Sequence, residues 1–450
     1  MEGIYLYFIN KETVRSYMRK RGINTQTELA KQLGVSKSQL SMILSPQYNP
    51  VKTNVVKLCE ILDVSLNDIS EQLSFDLDVE EVEKINDIPK KLDNKNKGNL
   101  FTEVRGIKPF KKYSVLELFA GAGGLALGLE KAGFHSIGNI EFDKHACHTL
   151  RKNRPDWKVI EEDIEKITKL GIHHYIDNVA VGELDLLSGG YPCQAFSYAG
   201  NKGGLQDARG TLFFHFGKIL EQLRPKMFLA ENVKGLVNHD NGKTLNIMLE
   251  VFSEIGYKVK WKVLKALDYD VAQKRERIVI VGIRNDLIHH YPNLDYQFPR
   301  PYGYELTLKD VLKDVPKSEG AKYPESKKKV LDLVPPGGYW RDLPDEIAKN
   351  YMGKSYYSGG GRTGMARRLS WNEPSLTLTT SPAQKQTERC HPDETRPFTV
   401  REYARIQSFP DSWEFDCSTN NAYKQIGNAV PVNMAKAIGL SIINVLNRLD

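Results

Sequence analysis

Apolar and polar residues alternate along the middle of the chain in a rhythm that predicts strands separated by helices. Short apolar runs stand at residues 115–119, 184–190, 227–233 and 277–283. Amphipathic stretches of helix length lie between them, and residues 211–223 form the clearest one. Alternation of this kind predicts a doubly wound, mostly parallel α/β sheet. We place this α/β domain at residues 113–284.

In the first part of the chain, apolar residues recur every three to four positions, as in amphipathic helices. We assign this part to a separate all-α domain at residues 1–75. Leu29, Ala30 and Leu33 share one helical face, and the helix stops at Gly34. A second apolar-periodic segment follows at once. Helix, short turn and helix is the spacing of a helix-turn-helix.

The segment TELAKQLGVSKSQLSMIL resembles the DNA-binding module of phage repressors and their bacterial relatives. The resemblance implies that the recognition helix begins with four candidate DNA contacts: Ser36, Lys37, Ser38 and Gln39. A glutamine can bond adenine through two hydrogen bonds. The alternative is a small helical bundle that serves protein contacts.

The rest of the chain lacks these two rhythms. Residues 76–112 are acidic and then rich in Lys and Asn, which predicts a linker. Residues 285–395 are rich in Pro, Gly, Tyr and Lys, and we treat them as a smaller domain. After Thr399 a helical pattern returns, and we assign residues 396–450 to a C-terminal segment that completes the α/β domain.

Composition narrows the classes of function. The net charge of +7 permits a nucleic-acid partner without requiring one. The five cysteines form neither a CxxC motif nor a zinc-ligand spacing, so we expect no disulfide framework and no metal. No apolar run reaches the roughly 18 residues of a membrane span. We therefore expect a cytoplasmic protein without a membrane partner.

A glycine-rich turn follows the first predicted strand of the α/β domain. Residues 121–126 read GAGGLA, which lets the backbone approach a ligand at a helix start. Glu141 ends the next strand about 20 residues further on, where a carboxylate can accept the hydroxyls of an adenosine ribose. A dehydrogenase would show the same two features, so they indicate only a nucleotide-type cofactor.

Candidate cysteine and carboxylate side chains lie at the ends of two further predicted strands, and candidate arginines lead into a third. Cys193, in SGGYPCQAFS, lies on a proline-stiffened loop and is a candidate nucleophile. Glu231, in AENV, can protonate or hydrogen-bond a heterocycle. In QKRER, the residues Gln273, Arg275 and Arg277 alternate onto one face. Each signal taken alone is also compatible with ordinary surface chemistry.

Together and in this order, these motifs resemble those of the DNA (cytosine-5)-methyltransferases. The resemblance extends from about residue 113 to 445 and includes GTLFF, RPFTVREYARIQSFP and QIGNAVP. It implies that Cys193 adds to carbon 6 of a cytosine flipped out of the duplex, while Glu231 bonds ring nitrogen 3. Arg277, with Arg275 nearby, would hold the cytosine carbonyl.

The same resemblance implies a cofactor and further contacts. S-adenosylmethionine would be converted to S-adenosylhomocysteine in a pocket lined by Phe119, Gly121, Gly123, Glu141, Asp163, Pro192 and Asn428. Residues 285–395 would be the target-recognition domain. Further contacts to double-stranded DNA are expected from Gln194, Ser197 and Gln273.

Partners and rival functions follow from the same comparison of motifs. We expect a restriction-modification system with a cognate restriction endonuclease, and the helix-turn-helix is a candidate for binding the enzyme's own promoter. One alternative is a tRNA cytosine-5 methyltransferase on the same scaffold. Another is a transcriptional regulator on a degenerate methyltransferase scaffold, which the intact Cys193, Glu231 and Arg277 disfavour.

Overall fold

The computed structural model describes residues 5–44, 52–64, 69–74, 100–177, 179–191, 211–357 and 362–449. The chain divides into two compact units. The first is Met1–Lys97 with Tyr302–Thr307, and the second is Gly98–Pro301 with Leu308–Asp450.

Four short helices form the core of the N-terminal unit. Their buried apolar side chains, among them Val14, Leu29, Leu40 and Leu58, make one cluster. The side chains of Asn10 and Thr25 accept backbone N–H groups and so begin the first two helices. Two antiparallel strands flank the helices. The elements are β1 (Tyr5–Ile9), α1 (Lys11–Lys20), α2 (Gln26–Leu33), α3 (Lys37–Ile43), α4 (Lys52–Leu62) and β2 (Ser70–Ser74).

A seven-stranded sheet forms the centre of the second unit, in the order β6-β5-β4-β7-β8-β11-β9. A short parallel pair, β3 (Phe101–Thr102) with β12 (Phe298–Pro299), lies outside it. The strands of the large sheet are β4 (Tyr113–Leu118), β5 (Phe134–Glu141), β6 (Val159–Glu161), β7 (Leu186–Gly189), β8 (Met227–Val233), β9 (Tyr257–Lys265) and β11 (Glu276–Arg284). The predicted α/β class with a mostly parallel sheet is confirmed.

One strand runs against the others. β11 lies between β8 and β9 in the sheet and pairs antiparallel with both of them. The apolar pattern of residues 277–283 predicts a buried strand but not its direction, because pairing is decided by distant residues. The reversal brings Arg277, the first β11 residue that pairs with β8, beside Val233 at the carboxyl end of β8.

Helices pack on the sheet and form hydrophobic clusters with it. In the larger cluster, the strand residues Leu116, Phe228 and Ile280 pack with helical residues such as Phe216 and Phe252. The helices that accompany the strands are α5 (Gly124–Ala132), α6 (Lys144–Asn153), α7 (Ile164–Leu170), α8 (Leu212–Leu223), α9 (Lys243–Ile255) and α10 (Asn285–His290).

Residues 308–399 contain little regular structure. In the described part of this segment, the α-helices are α11 (Leu308–Val311), α12 (Glu325–Leu331) and α13 (Asp345–Met352), and the strand is the two-residue β13 (Ser375–Leu376). β13 pairs in parallel with β10 (Gln273–Lys274), just before β11. This pairing ties the segment to the α/β domain.

Three C-terminal helices return to the sheet: α14 (Val400–Ile406), α15 (Thr419–Asn428) and α16 (Val432–Leu446). α16 packs against α5. The stretch Thr419–Leu446 is long and apolar enough to cross a membrane by length and composition, but 78% of its apolar window is buried inside the protein. An extended backbone at Ala429 also divides it.

Candidate active site at the carboxyl edge of the sheet

Four adjacent strands bring the predicted site residues to one edge of the sheet. Leu118 is in register with Ile140 and Gly189, and Gly189 with Ala230. The residues that follow these positions therefore meet at the carboxyl ends of the strands: Phe119, Glu141, Gly190 and Glu231. Open α/β sheets bind their ligands at this edge.

The glycine loop has a left-handed backbone at three positions, Phe119, Gly121 and Gly123. At Gly123 a side chain is also excluded by packing, because its Cβ would lie 2.7 Å from Leu150 and 3.0 Å from Trp413. Phe119 is the unusual member, since a left-handed backbone is strained for a bulky residue. The surrounding packing holds the loop in one conformation at the start of α5.

Glu141 holds the loop from the neighbouring strand. Its carboxylate accepts the N–H of Gly121 at 2.7 Å, of Phe142 at 2.9 Å and of Asp143 at 2.7 Å. A carboxylate has about four lone-pair directions, so about one remains for a ligand. The expectation that Glu141 accepts both ribose hydroxyls therefore requires one of these bonds to be given up.

The other predicted cofactor residues lie around this loop. Asp163 is exposed and caps α7 by accepting the N–H of Glu165 at 2.8 Å. Asn428 is exposed at the end of α15. Phe142, which the motif analysis missed, is 73% exposed directly after Glu141. An aromatic residue next to an acidic strand end was the available signal.

Glu231 and Arg277 form a nearly buried ion pair. Glu231 is 8% exposed, and its Oε1 lies 2.9 Å from Nε of Arg277. Burial raises the pKa of Glu231, and the guanidiniums of Arg277 and Arg275 oppose that rise. A Cβ at Gly190 would lie 2.9 Å from the other carboxylate oxygen, so the backbone passes directly over Glu231. The arrangement favours a carboxyl that gains a proton readily.

The chain runs from this point toward the predicted nucleophile. The carbonyl of Tyr191 accepts the amide of Asn232 at 2.8 Å, and the Tyr191 ring packs near Phe119 and Phe213. Asn232 is a second residue whose role the motif analysis missed. Pro192, Cys193, Gln194 and Ser197 lie outside the described residues.

The QKRER motif separates into residues with different surroundings. Gln273 is fully buried, its Oε1 accepts the N–H of Leu378 at 3.0 Å, and its amide donates to the Gln407 side chain. Both ends of the amide are therefore used inside the protein, and the predicted DNA contact of Gln273 requires these bonds to open. Arg275 is 1% exposed and bonds main-chain carbonyls rather than Glu231.

In the N-terminal unit, Ser36, Lys37 and Gln39 are exposed. Ser36 and Gln39 cap the helix reciprocally: the Ser36 hydroxyl accepts the Gln39 N–H at 3.1 Å, and the Gln39 amide oxygen accepts the Ser36 N–H at 2.8 Å. Ser38 lies in α3, and its side chain is outside the described set.

Fold and site together define a doubly wound α/β methyltransferase with an added helical module, and comparisons with known proteins agree. The model of C-5 cytosine-specific DNA methylases matches residues 113–444, and a helix-turn-helix model matches residues 16–69. The chain belongs to the C-5 cytosine-specific DNA methylase family and is a DNA cytosine-5-methyltransferase of the restriction-modification kind. This outcome confirms the predicted enzyme over its two alternatives.

Named relatives cover most or all of the chain. It is 57% identical to the Type II methyltransferase M.Sau96I of Staphylococcus aureus over 98% of this chain and 100% of that protein. It is 57% identical to M.Eco47II of Escherichia coli over 75% of this chain and 80% of that protein. A crystal structure of a prophage-encoded DNA modification methyltransferase from E. coli matches with a TM-score of 0.54 and 25% identity, over 75% of this chain and all of that one.

Among the described residues, no group of three or more His, Cys, Asp or Glu side chains is arranged to hold a metal ion.

Proposed function

We propose that the enzyme methylates carbon 5 of a flipped cytosine in a specific duplex sequence through a covalent adduct with Cys193. The observation that carries this proposal is the Glu231–Arg277 pair. Glu231 lies beneath Gly190, and Gly190 belongs to the segment that leads into Pro192 and Cys193. A buried carboxyl with a raised pKa suits a group that must donate a hydrogen bond to a heterocycle near neutral pH.

Each residue has a defined task in this proposal. The thiolate of Cys193 forms a bond to carbon 6, and the electron pair of the 5,6 double bond is delocalised from carbon 5 through carbon 4 to ring nitrogen 3. Glu231 bonds ring nitrogen 3 and stabilises the charge that develops there, while Arg277 bonds the cytosine carbonyl. After methyl transfer to carbon 5, water takes the proton from carbon 5, and the electron pair of that C–H bond re-forms the 5,6 double bond as the bond to the Cys193 thiolate breaks.

The methyl donor that fits the site is S-adenosylmethionine, which supplies an electrophilic methyl group and leaves as S-adenosylhomocysteine. The fit rests on the glycine loop, on the lone pair left at Glu141 and on the exposed Phe142 and Asn428. Phe142 offers an aromatic face to an adenine ring. Phe119, Gly121, Gly123, Asp163 and Pro192 complete the proposed pocket.

The cofactor proposal is tested by calorimetry with Glu141→Ala. Hydrogen bonds to a charged group contribute roughly 1.5–3 kcal/mol each, so we expect binding of S-adenosylhomocysteine to weaken about 10-fold or more. Glu141 also holds Gly121, so its loss can act through the glycine loop. Asp163→Ala is the matched control, because exposed Asp163 belongs to the proposed pocket but bonds Glu165 in α7. Unchanged affinity in both variants would move the cofactor elsewhere.

The covalent mechanism is tested with duplexes that carry 5-fluorocytosine, which lacks the proton lost from carbon 5. We expect the wild-type enzyme to remain covalently attached, whereas Cys193→Ala forms no adduct and does not methylate but still binds DNA. Turnover by Cys193→Ala would refute the mechanism. Bisulfite sequencing of DNA from a host that expresses the gene identifies the methylated site.

We propose that residues 285–395 read the target sequence through their exposed loops. Arg362 and the segment Gln384–Gln386 are exposed, whereas Arg368 and Arg389 are buried. The two loops are held together, since the Glu388 N–H donates to the Gly364 carbonyl at 2.9 Å. Arginine and glutamine side chains of this kind read guanine and adenine edges.

We also propose that the helix-turn-helix binds a separate site, the enzyme's own promoter, as a dimer on symmetric half-sites. Exposed Lys37 and Gln39 support the proposal, with Gln39 oriented by its bond to Ser36. The proposed setting is the cytoplasm, beside a cognate restriction endonuclease. A footprint of the full-length protein on its upstream DNA tests promoter binding, and the absence of a Lys37-dependent protected region would refute it.

A further inference from the structure

Arg275 lies two residues before Arg277 but in a different environment. In the described part of the chain its hydrogen bonds all go to main-chain carbonyls: Leu378 at 3.3 Å, Gly427 at 3.0 Å and Asn428 at 3.4 Å. Burial lowers its pKa to about 9, with a further contribution from Arg277, while Glu231 opposes the change. The side chain is therefore electrostatically coupled to the proposed catalytic pair without bonding to it.

The three carbonyls belong to two separate elements. Gly427 and Asn428 end α15, where helix carbonyls lack partners within the helix and favour a cation. Asn428 is also a proposed cofactor contact. Leu378 lies in residues 375–379, which we name the recognition strap because they lead into the loop that carries Gln384 and Gln386.

The recognition strap is attached to the α/β domain along its whole length. Ser375 donates to the Ala272 carbonyl at 2.8 Å, and Leu378 donates to Gln273 at 3.0 Å. The hydroxyl of Tyr403 accepts the N–H of Thr379 at 3.1 Å and donates to its carbonyl at 2.8 Å. The Arg275 side chain donates hydrogen bonds both to this strap and to the end of α15, where the strap also packs closely, since a Cβ at Gly427 would clash with the Thr379 carbonyl oxygen.

We propose that Arg275 is a positioning residue that couples target recognition to cofactor binding by joining the recognition strap to the Asn428 end of α15. A planar guanidinium with five donors bridges carbonyls on both elements, whereas a lysine ammonium acts as a point charge. The inference rests on the proposed cofactor pocket. It assigns to Arg275 no contact with the cytosine.

The test compares full-length Arg275→Lys with Arg368→Lys. Arg368 is also buried, at 4% exposure, and bonds the main-chain carbonyls of Leu331, Val334 and His391, which lie outside both the recognition strap and α15. Calorimetry measures the affinity for S-adenosylhomocysteine with and without a duplex that carries the site identified by bisulfite sequencing. The ratio of the two dissociation constants is the coupling.

We expect the wild-type ratio to be at least about 5-fold, the lower end of usual coupling between sites. Arg275→Lys should bring the ratio close to 1 while each ligand alone still binds, and kcat should fall more than KM changes. Arg368→Lys should keep the wild-type ratio. An unchanged ratio in Arg275→Lys, an equal loss in both variants, or a wild-type ratio of 1 would overturn the inference.

A second variant covers the case in which Arg275→Lys does not fold. Tyr403→Phe removes only the hydroxyl that bonds Thr379 on the recognition strap, and it should lower the same ratio. If the wild-type enzyme does not bind S-adenosylhomocysteine at all, the proposed cofactor site fails. If it binds with coupling that both Arg275→Lys and Tyr403→Phe retain, only the role of Arg275 fails.

Discussion

Charged side chains have different partners in the α/β sheet and in residues 308–399. At the carboxyl edge of the sheet, Glu231 pairs with Arg277, and Glu141 keeps about one lone pair unused. In the other region, Arg368 is 4% exposed and donates to the carbonyls of Leu331 and Val334 and to further acceptors. The sheet edge therefore pairs opposite charges and keeps some acceptor capacity, whereas Arg368 in the other region bonds the carbonyls of the chain itself.

The difference has its origin in the main chain. Strands satisfy their own N–H and C=O groups through the ladder, so side chains at strand ends remain available for ligands. A region with few ladders must satisfy buried carbonyls by other donors, and arginine supplies five. A cluster of arginines in an irregular segment is therefore weaker support for a DNA contact than the same residues at a strand end.

The largest expected effect is the loss of catalysis on changing the carboxyl at the sheet edge. Glu231→Gln keeps the shape but cannot exchange a proton, so we expect kcat to fall about 10²–10⁴-fold, the usual contribution of general acid–base catalysis. Thermal melting of the variant should stay near that of the wild type. Steady-state methylation assays measure the effect, and full turnover would remove Glu231 from the mechanism.

The next effect is on stability and contrasts two arginines. Arg368→Met leaves several buried carbonyls without a donor, and we expect the free energy of unfolding to fall by about 3–5 kcal/mol. Arg277→Met should lower it less, because Glu231 can take up a proton when its partner is lost. Urea unfolding of both variants checks the order, and equal losses would contradict the comparison.

A smaller effect is expected at the exposed loops of residues 308–399. If Arg362 contacts a guanine, Arg362→Ala should weaken discrimination at one base pair by about 1–3 kcal/mol. Lys385→Ala is the control, because an exposed lysine is suited to contact a phosphate. Loss of a phosphate contact lowers affinity evenly across sequences. Bisulfite sequencing of a library of site variants separates the two patterns. Unchanged specificity in Arg362→Ala would place recognition elsewhere.

The smallest effect concerns the pH dependence of stability. Glu117 is buried beneath the glycine loop, and burial raises its pKa well above the usual range. A raised folded-state pKa means that its stabilisation is present below about pH 4.3, the unfolded value, and is lost as pH rises through the folded value. Glu117→Gln should therefore gain stability relative to the wild type as pH rises. A difference in melting temperature between Glu117→Gln and the wild type that stays constant across pH 4–8 would show that Glu117 ionises without penalty.

Much of the molecule was readable from local patterns. The apolar runs and helical stretches predict the α/β class, because side-chain periodicity is a property of each segment by itself. The glycine loop, Glu141 and Glu231 were predicted at strand ends for the same reason. The helix-turn-helix spacing predicts the N-terminal module, and the motif order predicts the enzyme family.

Only the tertiary structure decided what individual polar side chains do. The burial of Gln273 and the attachment of Arg275 to Leu378 and Gly427 depend on partners more than 100 residues away, and the reversal of β11 depends on its pairing with β8 and β9. Alternation places Gln273, Arg275 and Arg277 on one face, but it does not say which of them meets a carboxylate, a carbonyl or an amide. That choice belongs to packing, because a buried donor takes whichever acceptor the folded chain brings within reach.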